Sequence, residues 1–215
     1  MSEDELWQSY FMDNTDVLKN KLGITNKEQL QKAEVDSTLK KLTYLYVKPL
    51  TGKFDSKRLR QIHKILFEDI YPFAGEYRKV NMSKNLDNFV DKDDIEIRLS
   101  TLLEFMNEKI KYISSPGEYA YFLAGAYYEM IMIHPFREGN GRTVREFFRE
   151  FIEQKSKEYN HNYILDMTKF DTEKLLLGVK ERFIYPSLLE SEFSKAIIPI
   201  EQVSKMRWTY ECKNR

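Results

Sequence analysis

The run His134-Pro135-Phe136-Arg137-Glu138-Gly139-Asn140-Gly141-Arg142-Thr143-Val144-Arg145 divides two strongly periodic segments. Before it, Tyr119, Phe122, Leu123, Ala126, Tyr127, Met130 and Ile131 recur at helical spacing and predict a helix ending near Ile133. After it, Val144, Phe147, Phe148, Phe151 and Ile152 form a second apolar stripe. The run therefore reads as a short loop between two helices, with Arg142 and Arg145 one turn apart on the same helical face.

The same periodicity extends outward. Leu59, Ile62, Leu66 and Phe67 follow Asp55 and Ser56, both good N-cap types, and Leu99, Leu102, Leu103, Met106 and Ile110 repeat the stripe. Further helices are expected through Lys27–Leu45, Thr172–Phe183 and Ser187–Ala196. Eight glycines and six prolines in 215 residues are too few for a fold built on many tight turns. The fold class is all-α, a helical bundle. One segment departs from it: residues 77–90 carry no helical stripe, have Asn, Ser and Asp in the middle and β-formers at the ends, and predict an irregular hairpin.

Composition narrows the function. Lys plus Arg and Asp plus Glu both number 34, so no bulk positive field draws nucleic acid or an anionic membrane, and any anion must be bound by a local cluster. A hydrophobic fraction of 42% is globular, and the length suits a single domain. The expected organisation is one domain over residues 1–200, with its core at about 55–155 and a polar tail at 201–215. The single cysteine, Cys212, has no internal partner, which fits a reducing compartment. Met1–Asp16 lacks the basic flank and apolar core of a signal peptide, and no window is apolar enough to span a bilayer. A cytosolic protein is the simplest expectation; export by a specialised secretion system would leave no such mark.

The central run assembles a polyphosphate site. Glycines permit left-handed turns that aim successive backbone N–H groups at one point. A helix N-terminus adds free donors and the positive end of a dipole. Arg142 and Arg145 supply two guanidiniums, and Glu138 is the natural ligand for a Mg²⁺ bridging phosphate oxygens. His134, with an ordinary pKa near ~6.5, can accept a proton at neutral pH. Taken singly, each part is usually bland: a packed histidine, a turn, a solvated arginine pair. Their concentration in one short run is what carries the reading. Phe136 is assigned to the core, and His63 and His161 are left structural.

The run also resembles, at every specified position, the Fic (Fic/Doc) family signature His-x-Phe-x-Asp/Glu-Gly-Asn-Gly-Arg-x-x-Arg. The segment Leu66–Arg78 resembles the family's approach to its flap, and Thr15–Ile24 the start of members found in toxin–antitoxin modules and secreted effectors. The likeness covers roughly Asn14–Ala196. It implies a Fic-type bundle with a hairpin flap, and a protein adenylyltransferase moving AMP from Mg·ATP to a Tyr, Thr or Ser hydroxyl. His134 is then the base, Glu138 the Mg²⁺ ligand, and Gly139, Asn140, Gly141, Arg142 and Arg145 the phosphate site. Lys84 and Phe89 are expected on the target-binding flap, facing the site. Tyr163 and Leu165 match the family's adenine pocket, although Met167 stands where an aromatic residue is usual. Kinase-type relatives replace the second loop glycine, and Gly141 is present. Use of another nucleotide, removal of AMP, or a vestigial interaction module are the alternatives.

Many members are restrained by a helix bearing Ser/Thr-x-x-x-Glu-Gly/Asn, whose glutamate pairs with the second motif arginine. Here Ser100…Glu104 is followed by Phe105, Ser114…Glu118 by Tyr119, and Glu34 has Leu30 in place of Ser or Thr. The expectation is that no inhibitory glutamate is built in, that Arg145 is left for the γ-phosphate, and that a separate antitoxin protein supplies any restraint. The resemblance points to a bacterial target such as a type II topoisomerase, or to a host GTPase if the chain is exported.

Overall fold

The computed structural model describes residues 2–84 and 87–201. Its elements in order are α1 (Glu3–Gln8), α2 (Lys27–Val47), α3 (Ser56–Phe67), β1 (Ser83–Lys84), β2 (Asp87–Asn88), α4 (Ile95–Lys109), α5 (Pro116–Ile133), α6 (Asn140–Glu158), β3 (Tyr163–Leu165), α7 (Thr172–Lys180), α8 (Leu188–Ala196) and β4 (Ile197–Pro199). The helical reading holds, as does the small hairpin: β1 and β2 pair antiparallel, Ser83 with Asn88 and Lys84 with Asp87. The tail beyond residue 201 lies outside the described residues.

Local chemistry explains the helix starts. Asn26 caps α2 by accepting from the Gln29 N–H, and Asp55 caps α3 by accepting from the Arg58 N–H. Helix α1 was not expected. It is held by a capping box in which the Ser2 hydroxyl accepts from the Glu5 N–H and the Glu5 carboxylate from the Ser2 N–H. A second sheet was also not expected: β3 pairs antiparallel with β4, Leu165 opposite Ile197.

The chain divides into two compact units. One comprises Met1–Leu103 and Met132–Glu146, the other Glu104–Ile131 and the residues from Phe147 on. In the first, Leu59, Ile62, Leu66 and Phe67 of α3 are buried with Leu45, Ile95, Leu99, Phe136 and Val144. Burying each such side chain stabilises by about 1.5–3 kcal/mol. In the second, Tyr119, Leu123, Phe147, Phe148, Phe151 and Phe193 are buried, and Phe193 meets Tyr127 edge-on at 5.5 Å between centroids. No helix among the described residues is long and apolar enough to cross a membrane.

Candidate active site

Helix α5 stops because His134 adopts a left-handed backbone (φ +47°) and Pro135, which follows, has no N–H to donate. Positive φ is uncommon for a residue with a Cβ and marks a conformation imposed by its surroundings. Much of that imposition comes from Arg78, a buried guanidinium. Its Nε donates to the His134 carbonyl at 2.8 Å and one Nη to the Ile133 carbonyl at 3.4 Å, satisfying acceptors that the end of α5 leaves open. It also donates to the Val80 carbonyl at 2.7 Å and to that of Val90. A single side chain thus ties both legs of the hairpin to the base of His134. Burial pushes the Arg78 guanidinium below the usual arginine range, with Asp91 opposing.

The hairpin is fixed to α5 by the Val90 N–H, which donates to the Met132 carbonyl at 3.1 Å. Phe89 stacks on the His134 ring, centroids 3.8 Å apart and planes 10° apart. Of the two predicted flap residues, Phe89 therefore faces the candidate base. Lys84 is the last residue of β1, and its side chain lies outside the described atoms.

The loop turns at Gly139. Its φ is +80°, and a Cβ there would stand 2.3 Å from the Phe67 ring, so only glycine fits over that floor. The Gly139 carbonyl accepts from the Thr143 N–H at 3.1 Å and from its hydroxyl at 3.0 Å, which starts α6. The N–H groups of Asn140, Gly141 and Arg142 precede that first helical bond at the N-terminal end of the helix, the end that suits an anion. Gly141 does not supply a second left-handed turn as expected. It lies inside the first turn of α6, where a Cβ would meet only the Arg145 guanidinium at 3.3 Å. The Asn140 side chain is engaged by the loop itself, accepting from the Phe136 N–H at 2.9 Å and donating to the Phe136 carbonyl at 2.8 Å. Its offer to a ligand is main chain.

Beneath the loop lies His63, fully buried on α3. Its Nδ1 accepts from the Gly75 N–H at 2.8 Å, so the ring proton sits on Nε2, which donates to the Glu138 carbonyl at 3.0 Å. The ring stacks on Phe136 at 3.8 Å. Burial, opposed by the hydrogen bond to Glu138 and reinforced by the nearby Arg142 charge, lowers its pKa to about 4, so it is a neutral strut. Glu138 itself is 43% exposed and accepts from the Gly139 N–H at 2.8 Å.

Of the two arginines predicted for the phosphate site, Arg142 is the one held by neighbouring side chains. Its guanidinium lies 4.8 Å from the Phe67 ring centroid and 3.8 Å from a Glu138 oxygen, and it is ion-paired with Glu34 of α2. Glu34 in turn accepts from the Tyr71 hydroxyl. Burial pushes that hydroxyl above the usual tyrosine range, with the Glu34 carboxylate adding to the shift. Arg145 is half-buried and has no ion-pair partner among the described residues. Tyr163 and Leu165, the predicted base-pocket residues, are both in β3 of the second unit, Leu165 buried and Tyr163 partly so. His161, which sequence reasoning left structural, has its Nδ1 2.6 Å from the Tyr119 hydroxyl.

The loop is supported by His63, Phe67, Tyr71, Arg78 and Glu34; sequence reasoning left His63 structural, set Glu34 aside as an inhibitory glutamate and did not single out the other three. A signal existed for two of them. His63 sits on the apolar stripe of α3, and Glu34 lies between Leu30 and Thr38 on the buried face of α2.

A left-handed histidine at a helix end, a glycine turn over an aromatic floor and an arginine-bearing helix N-terminus come together in one helical unit. Residues 53–152 match the model of the Fic/DOC family. It is 32% identical over 140 residues to the protein adenylyltransferase VbhT of Bartonella schoenbuchensis, covering 64% of this chain and 29% of that one. It is 28% identical over 142 residues to the probable protein adenylyltransferase Fic of Escherichia coli, covering 66% and 70%. Among solved structures, the N-terminal Fic domain of a VirB-translocated effector of Bartonella quintana, with bound ADP, superposes with a TM-score of 0.77. That match is 25% identical and covers 88% of this chain and 94% of that one.

Proposed function

We propose that this chain is a protein adenylyltransferase that moves AMP from ATP to a hydroxyl of a target protein, and that residues 1–200 act as one Fic domain. The observation that carries the reading is the loop itself. His134, the Gly139 turn and the first turn of α6 with Arg142 stand together in one unit, and the curated relatives with the same kind of domain are named protein adenylyltransferases.

His134 takes the proton of the incoming hydroxyl as its oxygen attacks the α-phosphorus in line. The bond to the β-phosphate bridging oxygen breaks, and pyrophosphate leaves. The N–H groups of Asn140 and Gly141 face the α- and β-phosphates, with Arg142 on the β and γ and Arg145 on the γ. Positioning and charge do most of the work in such a transfer, because little covalent chemistry falls to the protein. A lone, half-exposed carboxylate beside a phosphate site suits Mg²⁺, which keeps waters and borrows phosphate oxygens. Glu138 would hold it, and the ion would neutralise charge developing on the phosphates. Tyr163 and Leu165 are proposed at the base. The hairpin binds target main chain by strand addition, with Phe89 over His134.

A separate antitoxin protein is proposed to supply restraint, and a bacterial cytoplasmic site of action or translocation as an effector are the two settings that fit. The test is incubation with α-labelled ATP, Mg²⁺ and bacterial lysate, comparing the chain with His134→Ala. Transfer should fall by at least 10²-fold, the usual contribution of a general base, with ATP affinity held within a few-fold. Labelling that survives in the variant refutes the assignment.

A further inference from the structure

We infer that Glu34 and Tyr71 are positioning residues for the transfer, holding Arg142 in the orientation in which it meets the triphosphate. The inference rests on the transferase reading above and deepens it. Both carboxylate oxygens of Glu34 are engaged, one by an Arg142 Nη2 and the other by the Tyr71 hydroxyl, and only 9% of the side chain is exposed. Such a carboxylate cannot swing away. Its backbone is equally fixed, since the Thr38 hydroxyl donates to the Glu34 carbonyl at 2.8 Å within α2. Tyr71 is itself locked, stacked on Phe73 at 4.8 Å with its N–H on the Phe67 carbonyl at 2.8 Å.

The guanidinium is therefore held from two directions, by the Phe67 ring 4.8 Å from its carbon and by Glu34 at Nη2. A guanidinium carries five N–H donors in a fixed fork, so engaging one edge leaves the other for an anion and sets its direction. A buried ion pair is a poor source of stability but a good source of geometry. Arg145, one turn on, has no such carboxylate among the described residues. The two motif arginines thus differ in kind: Arg142 is aimed in advance, and Arg145 is left to adjust.

The opposite role, Glu34 competing with the nucleotide for Arg142, makes the opposite prediction. Glu34→Ala, Glu34→Gln, Tyr71→Phe and Arg142→Ala are compared with the parent for transfer of AMP to lysate protein, for calorimetric Kd of Mg·ATP, and for Tm. Positioning predicts that Glu34→Ala lowers kcat at least tenfold while Kd moves less than threefold. Glu34→Gln, which keeps an acceptor, should recover most of the loss. Arg142→Ala should cost at least tenfold less in the Glu34→Ala background than in the parent, because an unaimed guanidinium has little left to lose. Higher activity or tighter ATP binding in Glu34→Ala would establish competition and overturn the proposal. Additive losses, or a lower Tm with unchanged kcat, would overturn it too. If Glu34→Ala does not fold, Tyr71→Phe decides alone: kcat should fall about threefold with Kd unchanged, and an unaltered kcat refutes the role. A parent chain that transfers no AMP at all refutes the transferase reading instead, separately from this one.

Discussion

The loop of residues 134–142 and the hairpin of residues 80–90 stand side by side over the same histidine, but they are held in different ways. The loop is supported from below by a buried aromatic and imidazole floor, Phe67, Phe136 and His63, and its turn is fitted to that floor to within a methyl group. The hairpin has only two-residue strands and is attached by main-chain carbonyls, two of them to Arg78, and by the stack of Phe89 on His134. On the proposed function, rigidity is built where the charge of the nucleotide would be met at fixed points. Where a target chain would enter, attachment rests on a few hydrogen bonds that can be remade.

The loop should break first and hardest. Gly139→Ala combines a disfavoured φ with a Cβ 2.3 Å from the Phe67 ring, and should cost about 4 kcal/mol: ~1–2 for the backbone and ~1–3 for overpacking. Urea unfolding would measure it, and a loss below 1 kcal/mol would show that the floor can yield. Acid attacks the same region through His63. Unfolded, this histidine titrates near 6.5; folded, near 4, so the unfolded chain holds more protons between those values. Its contribution is complete above pH ~6.5 and is lost as pH falls to about 4, amounting to about 3 kcal/mol. His63→Gln should flatten that part of the stability profile relative to the parent, and an unchanged slope would remove His63 from the account.

Arg78→Met tests the hairpin's attachment. It orphans carbonyls of Val80, Val90 and His134, yet the hairpin can lift into water and recover them, so about 2 kcal/mol is expected rather than the full sum. Hydrogen exchange should rise at Val90 before it rises in α3; simultaneous exchange would mean loop and hairpin open together. The smallest effect on stability belongs to Phe89→Ala, within about 0.5 kcal/mol for a peripheral stack. It should still lower transfer to protein targets about tenfold with ATP binding unchanged, separating the hairpin's role in recognition from its role in the fold.

The same contrast explains what the sequence discloses. The central run is legible because its parts are neighbours in the chain: helix end, glycine turn and arginine pair all fall within His134–Arg145. The helices are legible because their stripes repeat over three or more turns. What escapes is support from afar. Glu34 reaches Arg142 across 108 positions, and His63 reaches Glu138 across 75, and no local pattern links either pair. The β3–β4 ladder escapes for a related reason, since three-residue strands are too short to show alternation. Helix α1 is a different case: Ser2 and Glu5 carry the capping-box spacing in plain view, but one and a half turns of helix give no stripe to confirm it.

Arg137, the variable residue between Phe136 and Glu138, points out of the loop into an aromatic enclosure made by the N-terminal segment. Its guanidinium carbon lies 4.5 Å from the Trp7 ring centroid, 5.2 Å from Phe11 and 5.6 Å from Tyr10. The chain's other tryptophan is Trp208. With Trp208→Phe in place, Trp7 becomes the lone tryptophan, selectively excited and in contact with the residue next to the proposed metal ligand. The protein thus carries its own optical gauge of the loop: nucleotide arrival, acid and the substitutions above can each be followed in real time without attaching a label.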